Sequence, residues 1–192
     1  PHSINLDFLE KILRNKLEIV VDPELETNVA KSYEIVQKSA EGDLPVYGVN
    51  TGFGKLANKI IPSEDREQLQ KNLVLSHCAG IGEPLPEDVT RLMMVLKIVS
   101  LSLGASGVKW STIKQIERII NSGIVPEIPH QGSVGASGDL APLAHMAAVM
   151  IGEGFAFYNG EKLSGFEALK RAGIEPISLG PKEGLALSLI HI

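Results

Sequence analysis

A run of small residues from Gly132 to Gly138, followed by Asp139 and an apolar segment, carries the most specific chemical signal in the sequence. Side chains this small let the backbone fold onto itself where larger ones would block it. The run is compatible with a tight turn in which Ser137 or Asp139 caps the next helix. It is equally compatible with an anion-binding loop at the N-terminus of that helix.

A third interpretation is covalent. In a compressed loop, the amide nitrogen of Gly138 can attack the carbonyl carbon of Ala136 and close a five-membered ring. Loss of water gives an imidazolone, and dehydration of Ser137 leaves an exocyclic methylene group. Glycine suits the nucleophile because it has no side chain to obstruct the attack, and Asp139 would assist the proton transfers. The product is a strong electrophile, which no ordinary side chain supplies.

Three segments resemble the aromatic amino acid ammonia-lyase family, and they occur in the family's order. They are GSVGASGDLAPLAHM at Gly132–Met146, YGVNTGFGKL at Tyr47–Leu56 and LVLSHCAGIGEPL at Leu73–Leu85. The similarity runs from about Val46 to Leu187. It implies the prosthetic group 4-methylideneimidazole-5-one, formed autocatalytically from Ala136-Ser137-Gly138, with no metal or nucleotide cofactor.

A second Ala-Ser-Gly tripeptide at Ala105–Gly107 serves as an internal control. It lacks the preceding small residues, and Val108 stands where the other copy has aspartate. We interpret this copy as structural, so the tripeptide acquires meaning only from its context.

Tyr47 opens a second glycine-rich segment, with Gly48, Gly52 and Gly54 close together. Such a segment is typical of a mobile loop that closes over a substrate. From the residues alone, Tyr47 is also compatible with a half-buried anchor whose hydroxyl finds one partner. The resemblance implies a catalytic tyrosine on an active-site lid, which removes a substrate β-proton or positions the ammonium group. Asn50 is a weaker candidate, for substrate binding on the same lid.

His77 lies near the end of a predicted helix, where a histidine is a favourable partner for the helix dipole. The resemblance implies a residue that selects the substrate, because an imidazole can hydrogen-bond a polar ring. The surrounding segments are closer to bacterial family members that act on histidine than to those that act on tyrosine. We therefore expect elimination of ammonia from L-histidine to give trans-urocanate. A tyrosine ammonia-lyase or an aminomutase on the same scaffold is the alternative.

Composition excludes several other classes of protein. The formal net charge of −5 leaves no basic stripe for a nucleic-acid partner. No apolar run approaches the length of a membrane helix, and the start of the chain has no signal-peptide pattern.

Cys78 is the single cysteine, which suits a reducing compartment, so we expect the cytoplasm. The five histidines and Cys78 lack the tight spacing of metal ligands, and we expect His145 to be a satisfied core histidine.

Helical periodicity dominates the chain and predicts a mainly α fold with long buried helices and a glycine-rich N-terminal loop region. We treat residues 1–192 as one N-terminal region of the lyase fold. Ser63 is the predicted N-cap of a helix that runs to about Cys78, and Asn159-Gly160 predicts one small hairpin. The other predicted helices are Glu87–Leu103, Ser111–Asn121, Asp139–Ile151 and, as the last one, Phe166–Ala172, with a loop over Pro126–Gly138.

The resemblance also implies that part of the family's active site is missing. Family members are longer, and after Leu187 they continue with an Asn-Gly-Thr segment where this sequence reads Ser188–Ile192. These five residues resemble a truncation or a foreign tail. Family active sites are shared between the subunits of a homotetramer. A second class of function is therefore a catalytically incomplete fragment that only folds or oligomerises, with exposed apolar helix faces.

Overall fold

The computed structural model describes residues 4–134 and 140–189, and helices dominate them. The helices are α1 (Leu6–Arg14), α2 (Glu26–Glu41), α3 (Arg66–His77), α4 (Glu87–Ser102), α5 (Trp110–Ser122), α6 (Leu140–Met150), α7 (Gly165–Arg171) and α8 (Glu183–Ser188). The strands are β1 (Ile81–Pro84), β2 (Val125–Pro126), β3 (Pro129–Gln131), β4 (Phe155–Tyr158) and β5 (Glu161–Ser164). The predicted mainly α fold is confirmed.

The strands form two small antiparallel sheets. Strand β1 pairs with β3, and β4 pairs with both β2 and β5. The β4–β5 hairpin turns at Asn159 and Gly160, which both have positive φ, as a two-residue type I′ turn requires. The predicted hairpin is therefore confirmed. The predicted loop over residues 126–138 was wrong in part, because β2 and β3 lie at its start and pair with distant strands.

Helix α6 forms the centre of the core, as the apolar run predicts. Its neighbours are α3, α5, α7 and α8, and α3 also packs directly on α8. Most of its side chains are fully buried, and four of them are alanines, which let the neighbouring helices approach closely. The buried residues of this helix are Ala141, Leu143, Ala144, Met146, Ala147, Ala148, Val149 and Met150.

Two predictions about helix ends were wrong. Ser63 is not the N-cap of α3: it begins a short 3-10 turn, and its hydroxyl contacts the carboxylate of Glu64. Residues 165–171 are not the last helix, because α8 follows them. Helix α8 has only six residues, which is too short for an apolar periodicity to show in the sequence.

A buried carboxylate joins α8 to the beginning of α5. Glu183 is fully buried, and its Oε1 accepts hydrogen bonds from the Lys109 amide (2.8 Å) and the Thr112 hydroxyl (2.6 Å). Its Oε2 accepts a bond from the Gly180 amide (2.7 Å) and lies 3.4 Å from the Lys109 ammonium. The first amides of a helix have no hydrogen-bond partners within it. This carboxylate accepts bonds at the N-terminus of α5, and its negative charge interacts favourably with the helix dipole there.

Helix α8 is also pressed against α3. The Gly184 amide donates to the side-chain oxygen of Gln70 (2.9 Å) in the middle of α3. A Cβ atom at Gly184 would lie 2.9 Å from the Gln70 carbonyl oxygen, which is closer than side chains tolerate. Glycine at this crossing lets α8 approach α3 closely enough for the bond to Gln70 to form.

We expect Glu183→Ala to lower the free energy of unfolding by about 3–5 kcal/mol, because buried donors lose a charged acceptor. Glu183→Gln should cost less, since one acceptor oxygen remains. Urea denaturation measures both changes. The control is Glu175→Gln at an exposed position, which should change stability by less than about 0.5 kcal/mol. Equal stability of Glu183→Ala and the parent chain would contradict the role assigned to this carboxylate.

Candidate functional site

His77 is the last residue of α3, and its side chain is half-buried. Its Nδ1 atom is buried and has no hydrogen-bond partner among the described residues. Burial lowers the pKa of His77 below its ordinary value, so the neutral ring predominates near neutral pH. A buried ring nitrogen without a partner costs free energy unless another group satisfies it. The position therefore suits a residue that hydrogen-bonds a ligand.

The turn after His77 contacts the beginning of the small-residue run. Strand β1 follows this turn and pairs with β3, whose Gln131 precedes Gly132. A Cβ atom at Gly132 would lie 3.0 Å from the Cα atom of Gly80 and 3.1 Å from the Cβ atom of Ala141. Gly132 therefore lies next to Ala141 and next to the turn that follows His77.

His145 on α6 joins the same turn from the other side. Its Nε2 atom accepts a hydrogen bond from the Gly80 amide (3.2 Å). Burial lowers the pKa of His145, while the negative charge of Glu127 acts in the opposite direction. The expected single partner is present, but the side chain is half-buried and is not part of the closed core. Sequence reasoning did not identify the partner, which lies 65 positions away.

Tyr47 lies at the surface, with 58% of its side chain exposed and its ring edge-on to Phe53 at 5.6 Å between centroids. The next residue, Gly48, has φ +70°, and a Cβ atom there would lie 2.9 Å from the side chain of Leu185 on α8. Because α8 packs on α3 and α6, the Tyr47 segment and the His77 turn attach to the same group of helices. Because the phenol is exposed and the backbone beside it is anchored, Tyr47 is suited to contact a ligand that arrives from solvent.

Asn50 is fully buried inside its own loop. Its Oδ1 accepts from the Val46 amide (2.7 Å), and its Nδ2 donates to the carbonyl oxygens of Ser39 (3.3 Å), Gly42 (3.2 Å) and Leu44 (2.9 Å). All the polar atoms of the side chain are therefore bonded to backbone between the end of α2 and the segment that precedes Tyr47. The neighbouring Thr51 is also buried and bonds to backbone of this loop. In this structure Asn50 fixes the base of the Tyr47 segment.

The remaining predicted site residues, Ala136, Ser137, Gly138 and Asp139, lie outside the described residues.

One further polar residue of the site region was missed. Gln70 lies seven residues before His77, which is two turns earlier on the same face of α3, and it is fully buried. Its Oε1 binds the Gly184 amide, whereas its Nε2 has no partner in the described part of the chain. A signal existed in the sequence, because Gln70 shares an apolar stripe with Leu73 and Val74, where a polar side chain is unusual.

The described residues hold no group of three or more His, Cys, Asp or Glu side chains arranged for a metal ion. Within the same ranges, no helix is both long and apolar enough to cross a membrane.

The sequence and structure match one family throughout. Residues 4–188 match the family model described as aromatic amino acid lyase. A curated histidine ammonia-lyase from Bradyrhizobium diazoefficiens is 54% identical over 187 residues, which are 97% of this chain and 36% of that protein. The chain thus spans about a third of the length of this relative.

Solved structures agree with this match. The histidine ammonia-lyase from Trypanosoma cruzi superposes with a TM-score of 0.88 at 36% identity, covering 97% of this chain and 36% of that one. The phenylalanine aminomutase from Pantoea agglomerans gives 0.84 at 38% identity, covering 94% of this chain and 35% of that one. One scaffold therefore occurs in proteins with different reactions in their names, and the fold alone does not select between them.

We expect Asn50→Ala to lower the free energy of unfolding by about 1–3 kcal/mol, because backbone groups at the base of the Tyr47 segment lose their partner. Hydrogen exchange should show the loss of protection concentrated around residues 44–51. The exposed Asn58, on the same loop, provides the control Asn58→Ala. Unchanged stability combined with weaker substrate binding would show instead that Asn50 serves the ligand.

Stability should decrease as the pH falls below about 6.5, the ordinary value for histidine. The pKa values of His77 and His145 are lowered in the folded state, so the unfolded chain binds more protons between the lowered values and 6.5. Stability therefore rises with pH through this window. Urea denaturation at several pH values should show a smaller slope for the double variant His77→Gln/His145→Gln. The exposed His130→Gln is the control, and an undiminished slope in the double variant would refute the assignment.

Proposed function

The chain belongs to the aromatic amino acid lyase family, and on that basis we propose that it is the N-terminal part of a histidine ammonia-lyase. The reaction is the elimination of ammonia from L-histidine to give trans-urocanate. One observation carries this proposal: His77, half-buried and with an Nδ1 that has no partner among the described residues, ends α3 just before the turn that contacts Gly132 at the start of the small-residue run. The 54% identity with a histidine ammonia-lyase supports the same substrate.

The flanks of the run fit the formation of a methylideneimidazolone from Ala136-Ser137-Gly138. Gly132 and Ala141 lie so close that a single methyl group at Gly132 would touch Ala141. The two flanks of the tripeptide thus lie next to each other, and we take this proximity as support for the proposed ring closure. When present, the group supplies the electrophile that bonds the substrate and makes loss of an otherwise non-acidic β-proton feasible. Asp139 is proposed to assist the proton transfers of ring formation.

The proposed roles of the other residues follow from where they lie. Tyr47 is exposed on a segment anchored to α8, and we assign it the removal of the β-proton. We assign His77 a hydrogen bond to the imidazole ring of the substrate. Asn50 remains a candidate for substrate binding, and its bonds to the loop support an indirect part in holding the Tyr47 segment.

Two alternatives have specific support. The similarity to a phenylalanine aminomutase favours a related reaction, an aminomutase or a tyrosine ammonia-lyase, on the same scaffold. The second alternative is an incomplete fragment that only folds or oligomerises. It is supported by exposed apolar residues repeating every seven positions along and just beyond α4, at Val89, Leu96 and Leu103, as expected for an uncovered helix face. A homotetramer and a cytoplasmic location stay predictions.

Formation of the prosthetic group removes two water molecules, so the intact mass of the folded protein should be lower than the sequence mass by that amount. Ser137→Ala should abolish the loss of two waters, because it removes the hydroxyl that leaves in the second dehydration. The control is Ser106→Ala in the second Ala-Ser-Gly copy, which should keep the lower mass. An unmodified mass for a folded sample of the parent protein would refute self-processing.

The longer protein, of which we propose this chain to be the N-terminal part, should turn over histidine faster than tyrosine or phenylalanine. His77→Leu should lower kcat/KM for histidine by about tenfold or more, because a ring nitrogen of the substrate then loses its partner. Release of urocanate or ammonia provides the assay. Faster turnover of tyrosine by the parent protein would overturn the choice of substrate. Full activity of the 192-residue chain by itself would exclude the incomplete fragment.

A further inference from the structure

We propose that His145 is a positioning residue: its neutral ring holds the turn that follows His77, and conversion of the ring to the cation releases that turn. The inference rests on the proposed function, because it concerns how the residue that contacts the substrate ring is kept in place. His145 itself is not assigned any contact with substrate.

The contact between His145 and the turn is tightly constrained. The Gly80 amide donates to Nε2 at 3.2 Å. A Cβ atom at Gly80 would lie 3.0 Å from this nitrogen and 3.2 Å from the Cβ atom of Pro129. The imidazole and the β3 strand therefore enclose the backbone at Gly80 from two sides. A side chain at position 80 would therefore require the imidazole or the β3 strand to move by a few tenths of an ångström.

Gly80 is three residues after His77, and short backbone bonds connect the two. The Ala79 amide donates to the His77 carbonyl oxygen at 2.8 Å, and the Cys78 amide donates to the last turn of α3. A shift of Gly80 is therefore transmitted to the end of the helix. Because Gly132 also contacts Gly80, the same shift alters the approach of the small-residue run to His77.

The bond depends on the protonation state of the ring. Nε2 can accept a hydrogen bond only when it carries no proton, which requires the neutral ring with its proton on Nδ1. Burial lowers the pKa of His145 and so favours this neutral form near pH 7. Below the lowered value the ring becomes a cation, both nitrogens are donors, and the Gly80 amide loses its acceptor.

The charged and titratable groups around His145 come from three other elements. His145 lines a surface cavity of about 380 Å³ together with Cys78, Glu127 and Lys162. Burial raises the pKa of the Cys78 thiol to about 11, so the thiol is neutral. The Glu127 carboxylate favours the protonated ring, but it is paired with Lys162 at 2.7 Å, which weakens this effect. Desolvation consequently outweighs the one opposing charge.

Two substitutions separate positioning from packing. His145→Gln keeps an acceptor oxygen that cannot be protonated in this range, whereas His145→Phe keeps a ring of similar size without any acceptor. The exposed Glu175→Gln serves as the control. Hydrogen exchange of the 192-residue chain is followed at the Gly80 amide, from neutral pH to about pH 5.5, with intrinsic rates corrected.

We expect the parent chain to lose protection at Gly80 on acidification, His145→Gln to stay protected, and His145→Phe to be unprotected at every pH. In the longer protein, His145→Phe should lower kcat/KM for histidine by about tenfold. His145→Gln should restore it and extend activity to lower pH. Protection that does not depend on pH in the parent chain, or equal effects of Gln and Phe, would overturn the inference. A parent protein without activity on histidine would refute the proposed function and leave the exchange measurement as an independent test.

Discussion

The buried carboxylate of Glu183 is the interaction on which the arrangement of the helices depends. It accepts hydrogen bonds from the beginning of α5 and from the turn before α8, which are about 70 positions apart in the chain. A buried carboxylate without these donors would be unsatisfied, and so would the donors without the carboxylate. The two ends therefore stabilise each other, and α8 is fixed where it can pack on α3 and α6.

The segments around His77 lie close together because their backbones approach each other directly at glycines. Gly184 lets α8 contact α3, Gly80 lets the turn after His77 contact His145, and Gly132 lets the small-residue run contact that turn. At each of these places a Cβ atom would lie about 3 Å or less from a neighbouring atom. The glycines act because they have no side chain, whereas freedom of φ matters at Gly48, whose φ is +70°.

The sequence was sufficient to predict the main helices, the hairpin and two of the candidate site residues. Long apolar periodicities predicted α4 and α6, and Asn159-Gly160 predicted the hairpin because few residue pairs adopt its turn. The family resemblance indicated Tyr47 and His77. The partners of His145, Gln70 and Glu183 could not be predicted, because each bond joins residues 65 or more positions apart. Ser63 failed as a cap because a 3-10 turn precedes α3, and α8 was too short to show a period.

The position of α8 in the chain has a consequence for how the protein is made. The bond between Gly184 and Gln70 spans 114 positions, so the ribosome must release almost all of this region before α3 finds its partner. Each doubling of a closed loop adds only about 0.6 kcal/mol of entropy cost, which makes the closure thermodynamically tolerable. Its kinetic consequence is larger, because distant contacts form late and slowly. Until α8 has been synthesised, the polar groups of α3 and α5 that bond to it therefore lack these partners. During that interval the nascent region is most exposed to aggregation and to chaperones.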